Sequence, residues 1–193
     1  MKRTRSTSAG FTVIEMMVSV ALFAIVMVVS AGALLSLAHA NRKAQALQSV
    51  MNNLSTTLDS MVRSMREGST FHCGTGNYTL PQDCTSGNTT FSFEPNGGTA
   101  SANDQRVYNY VPPSGTNKGY IQRSLNGGST WMRVTAPEIS ITDMKFYVVG
   151  TTPGDTVQPK AMIEIKGVAG GSDNRIKTTF HIQATAVQRV LDL

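Results

Sequence analysis

The apolar residues of this chain fall into three patterns in turn. Residues 16–41, MMVSVALFAIVMVVSAGALLSLAHAN, form an unbroken run of apolar and small residues, and no charged side chain lies between Glu15 and Arg42. About 20 such residues cross the hydrocarbon core of a bilayer as a helix, so the run predicts a transmembrane segment. The second pattern follows without a break. From Ala44 to Glu67 there is neither proline nor glycine, and Leu47, Val50, Met51, Leu54, Leu58, Met61, Val62 and Met65 recur in steps of three and four. That spacing puts them on one helical face. Gln45, Gln48, Asn52, Asp59, Arg63 and Arg66 fill much of the remainder, and Gly68 is a helix stop. The two patterns predict one helix from about Phe11 to Glu67, ~80–85 Å long at ~1.5 Å per residue.

The third pattern is strand-like. Residues 69–104, rich in Gly, Ser, Thr and Asn, read as a long connection with one strand at Thr90–Phe93. Arg106–Val111 alternates. Tyr120–Leu125 and Thr130–Val134 flank Asn126-Gly127-Gly128, a hairpin signal. Ile139–Val149, Ala161–Val168 and Lys177–Val187 follow, with turn-forming residues between them. The expected fold is α+β: a long N-terminal helix packed on a C-terminal antiparallel β-sheet.

Charge sharpens the N-terminal picture. The net charge is +5, but Lys2, Arg3 and Arg5 precede Gly10, and the rest of the chain carries 14 basic against 12 acidic residues. The basic character therefore belongs mainly to the first ten residues, and no nucleic-acid partner is predicted. Basic residues before an apolar helix predict a cytoplasmic N-terminus, with the remainder of the chain crossing the membrane. Glu15 stands at the head of the apolar run. A carboxylate at mid-membrane costs ~2.5–3.5 kcal/mol on insertion scales, which marks Glu15 as functional.

Cys73 and Cys84 are close in sequence within a polar stretch. If the domain is exported they pair, and so short a loop makes the bridge worth ~3 kcal/mol. In a reducing compartment they are two free thiols. His39, His72 and His181 lack paired ligand spacing and read as surface or interface residues. Asp173-Asn174 lies in a glycine-rich turn without EF-hand spacing, so turn chemistry is preferred over calcium binding. Trp131 and Phe146 are expected in the core. None of the Gly-Gly pairs opens a helix after a strand, so phosphate cradling is not supported. No serine elbow or paired-carboxylate signature stands out, so neither enzyme activity nor a cofactor is expected.

Gly10-Phe11-Thr12-Val13-Ile14-Glu15, with basic residues before it and an apolar helix after, resembles the type IV prepilin signature. That signature is shared by type IV pilins, minor pilins and the pseudopilins of type II secretion. The resemblance covers residues 1–40 and implies cleavage by a prepilin peptidase between Gly10 and Phe11. It further implies N-methylation of Phe11, retention of Glu15 for assembly, and other pilins or pseudopilins as partners beside membrane lipid. Ala136-Pro137-Glu138-Ile139, Met144–Val148 and Phe180–Gln183, ending in Gln188-Arg189-Val190, resemble the tails of larger minor pilins of the W type and minor pseudopilins of the J type. Many major pilins carry a proline partway through the apolar helix, where this chain has Gly32, and they bridge cysteines nearer the C-terminus. The implied divisions are a leader (1–10), a transmembrane half-helix (11–40), an amphipathic half-helix (41–68) and a β-sheet domain (69–193).

Two simpler readings compete. One is a signal anchor on an exported binding or enzymatic domain that joins no filament. The other is an ordinary signal peptide cut after Ala38-His39-Ala40, although its leader would exceed the usual ~15–30 residues. Neither accounts for Gly10-Phe11 together with Glu15.

Overall fold

The structure, a computed structural model, describes residues 10–169 and 177–189. One helix, α1, runs Val13–Glu67, close to the expected span and continuous through Gly32. The chain divides into two compact units, one ending at Arg42 and one beginning at Lys43. In the first, no residue of α1 is buried. In the second, Val50, Leu54, Leu58, Met61 and Met65 of α1 are buried, so most of the expected stripe is the packing face. Met51 stays 39% exposed at the edge of that stripe.

Among the described residues nine strands follow: β1 Ser69–Cys73, β2 Cys84–Asn88, β3 Thr90–Glu94, β4 Arg106–Val111, β5 Tyr120–Ser124, β6 Met132–Arg133, β7 Ser140–Val149, β8 Lys160–Ala169 and β9 Thr178–Val187. The α+β class is as the sequence implies, but the single expected sheet is two. One has the order β1-β3-β4-β5-β6, the other β2-β7-β8-β9, and all named pairings are antiparallel. The supposed connection at 69–104 contains three of the strands. It concealed β1 and β2 because neither alternates. β1 buries His72 beside Phe71 and Cys73, and β2 reads Cys-Thr-Ser-Gly-Asn.

Both sheets and the second half of α1 share one core. Phe91 of β3 stacks on Phe146 of β7 with ring centres 5.4 Å apart, joining the sheets through an aromatic contact. β7 carries a bulge between Ile141 and Asp143. The extra residue there switches the inward phase, so that Ile141 and then Met144, Phe146 and Val148 all face the core.

Phe146 is buried as expected, but Trp131 is 41% exposed. The expected strand Thr130–Val134 shortens to β6, the outermost strand of its sheet, and the buried core ends at Ile121 on β5. Trp131 therefore has no opposing layer. Asp173-Asn174, Gly170-Gly171 and Val190 lie outside the described residues.

Gly68 does follow the last residue of the helix, at a place where a side chain would be crowded. Its N–H bonds the Met65 carbonyl at 3.1 Å, and a Cβ there would run into the Phe93 ring and the Glu94 carbonyl. Both obstacles are buried. Gly68→Ala is expected to destabilise by about 2 kcal/mol, as overpacking does. A melting temperature within 1 °C of wild type would refute this crowding.

Candidate functional site

The first unit places the conspicuous residues on a short entry to α1. Gly10 and Phe11 precede the helix and are exposed, Phe11 by 78%. Thr12 caps it: the Glu15 N–H donates to Thr12 Oγ1 at 3.3 Å and the Met16 N–H to the Thr12 carbonyl at 3.2 Å. Thr12-Val13-Ile14-Glu15 is the Ser/Thr-x-x-Glu spacing of a capping box, a signal overlooked in favour of the carboxylate. Only half of the box forms, since the Glu15 side chain makes no hydrogen bond or ion pair among the described residues. The Glu15 carbonyl accepts the Ser19 hydroxyl at 2.7 Å. Glu15 is thus fixed in position by its backbone, with its carboxylate available. From Val13 to Leu37 the large apolar side chains are exposed. A free carboxylate heads a helix that is long and apolar enough to cross a membrane, judged by length and composition.

Residues 5–31 match a sequence family described as the prokaryotic N-terminal methylation motif. The chain is prepilin-like at its N-terminus. No curated protein and no solved structure matches the chain. A prepilin-like N-terminus implies processing by a prepilin peptidase, and with the uncovered apolar helix it points to membrane anchoring.

The second unit holds the remaining candidates. Cys73 and Cys84 are joined by a disulfide, with Cα atoms 5.7 Å apart. This is a core bridge rather than a loop clip. Cys73 on β1 is wholly buried, and Cys84 begins β2 in the other sheet. The intervening segment folds back on β1, with the Cys73 N–H bonded to the Gln82 carbonyl at 3.0 Å. Asp83 accepts the N–H groups of Gly150 and Thr151, at 3.3 and 3.0 Å, and so ties this segment to the turn after β7.

The histidines are scattered. His72, read as a surface or interface residue, is 2% exposed within the chain itself, because β1 is covered on both faces; its Nδ1 is 2.8 Å from the Leu80 carbonyl. His39 lies on α1. His181 on β9 is exposed, and its Nε2 is 2.8 Å from Glu164 on β8. No three His, Cys, Asp or Glu side chains gather into a metal site among the described residues.

Glu164 centres a small charged cluster on the four-stranded sheet. Lys166 Nζ is 3.0 Å away and the Tyr147 hydroxyl donates at 3.2 Å. The Lys166 contact, aided by Tyr147 and His181, holds the Glu164 carboxyl below its ordinary range, against a smaller opposing effect of burial. A depressed carboxylate contributes stability above its unfolded value of about 4.3, which is lost as pH falls through the lower folded value. Glu164→Gln is therefore expected to cost stability at neutral pH and to converge on wild type once the pH falls below the lowered folded value. Parallel pH–stability curves for the two proteins would contradict this.

Proposed function

We propose that this chain is a structural subunit, without catalytic activity, of a type IV pilus or type II secretion pseudopilus. The observation that carries the reading is Gly10-Phe11-Thr12-Val13-Ile14-Glu15 at the head of a helix whose first buried residue is Val50. In this reading the basic leader stays cytoplasmic, and the remainder of the chain crosses the membrane. A prepilin peptidase cuts between Gly10 and Phe11, and the new Phe11 amine is methylated. Cleavage leaves one ammonium at Phe11 and one carboxylate at Glu15 on an otherwise apolar segment. Each is costly to bury alone and is relieved by the other. Pairing Glu15 of one subunit with the Phe11 amine of a neighbour sets axial register, and residues 18–37 pack side by side, first in lipid and then in a filament core.

The large mature chain and its extended β-region favour a minor, priming or tip subunit over the major one. The test is the intact mass of protein purified from its native host. A chain beginning at methylated Phe11 is expected. A start at Asn41 would overturn the reading in favour of an ordinary signal peptide.

A further inference from the structure

The second unit holds a polar cleft of about 250 Å³ between α1 and the five-stranded sheet, far in sequence from the prepilin motif. Its central group is Arg123 on β5, paired across strands with Tyr108 on β4 and Met132 on β6. Arg123 is two residues from the core residue Ile121, so it shares the sheet face that packs toward α1. Its Nε is sealed from solvent with no hydrogen-bond partner. The ion pairs among the described residues belong instead to the Glu164–Lys166 cluster. Among the described residues no carboxylate lines the cleft. Arg123 as a whole is only half-buried, so the cost falls on the sealed Nε–H, a donor that an acceptor in the cleft would satisfy.

The rest of the lining is complementary in kind. Thr56 and Thr57 already donate their hydroxyls to the Asn52 and Asn53 carbonyls, at 3.0 and 2.9 Å. The hydroxyls of Ser60 and of the nearly buried Tyr108 have no partner among the described residues. The cleft therefore offers one cation and two free hydroxyl donors, with Met61 and Val134 as apolar walls.

We infer that this cleft binds a carboxylate carried on a short aliphatic stem. The planar fork of Arg123 matches a carboxylate, and the hydroxyls of Tyr108 and Ser60 reach its remaining lone pairs. A single cation balances the one carboxylate that enters, and the second acid group of a dicarboxylic acid stays in solvent at the mouth of the cleft, whereas a phosphate dianion would bring both of its charges inside. The apolar walls take the stem. The same chemistry is presented by a free dicarboxylic acid and by a glutamate side chain of another protein.

The test uses the full chain in detergent micelles, with arginine side chains and backbone amides followed by NMR. It is titrated separately with glutarate, with glutamate capped as N-acetyl methylamide, and with neutral glutaramide. The Arg123 Nε–H signal and the amides of Thr56–Ser60 should shift saturably with at least one acid and not with glutaramide. Tyr108→Phe keeps the ring in the core and should weaken binding about tenfold, the effect of one hydrogen bond to a charged group. Arg123→Gln should abolish the saturable shift. Tighter binding of capped glutamate assigns the site to a protein side chain, and tighter binding of glutarate assigns it to a free acid. No saturation with either acid, an equal response to glutaramide, or unchanged affinity in both variants would overturn the inference.

Discussion

Replacing both cysteines, as Cys73→Ala with Cys84→Ala, is expected to lower the stability of the second unit by about 3 kcal/mol, the chain-entropy value for so short a loop. For a domain of this size that is a fall of roughly 6–12 °C in melting temperature. The location of the effect is the sharper test. A loop clip would register mainly in residues 74–83. The bridge joins β1 of one sheet to β2 of the other, and Cys73 has no exposed surface. Its sulfur lies 3.6 Å from the carbonyl of Phe146, whose ring stacks on Phe91. Hydrogen exchange should therefore accelerate in β1, β2 and the middle of β7, where the sheets meet. A drop below 2 °C, or faster exchange confined to 74–83, would show that the sheets hold together without the bridge. Alanine is the right replacement, since a serine hydroxyl at position 73 would add the cost of an unpaired polar group in the core.

That bridge also marks the limit of what the sequence discloses. The helix was legible because its signals are local: an apolar run, then a stripe with period 3.6, then Gly68. The long strands β7, β8 and β9 were legible because apolar positions alternate along much of their length. β1, β2 and the division into two sheets were not. Every residue of β3 is buried, including Thr90, Ser92 and Glu94, so polarity carries no face information there. Glu94 tolerates this because it accepts hydrogen bonds from the Gln105 side chain and, at 3.0 Å, from the Ala100 N–H. The pairing of β2 with β7 depends on contacts 58 and 64 residues apart. The same contrast holds for function. Gly10 to Glu15 are contiguous, and their chemistry can be read in a line. The cleft around Arg123 is assembled from four separated parts of the chain, and no spacing in the sequence announces it.

Glu15→Ala is expected to abolish assembly while leaving folding and cleavage intact. Every residue of the buried core lies at or after Val50, so the melting temperature should not change. The helix start should persist as well, because the Thr12 cap uses the Glu15 backbone N–H and not its carboxylate. Insertion should become easier, since a carboxylate costing ~2.5–3.5 kcal/mol at mid-membrane has been removed. What is lost is the partner for a neighbour's Phe11 amine. Breaking a buried ion pair from one side costs ~3–5 kcal/mol, enough to cut recruitment by about a hundredfold or more. The measurement is crosslinking to partner pilins in the native host, wild type against variant, followed by filament yield. Crosslinking is read first, because a tip subunit lacks a neighbour on one side and filament yield alone understates its dependence on Glu15. Gly10→Val supplies the control. A Cβ at Gly10 meets nothing within 4 Å among the described residues, so a block is expected to arise in the peptidase. That variant should accumulate as an uncleaved precursor, whereas Glu15→Ala should be cleaved and methylated yet remain unassembled. Wild-type crosslinking by a processed Glu15→Ala chain would remove Glu15 from the assembly contact.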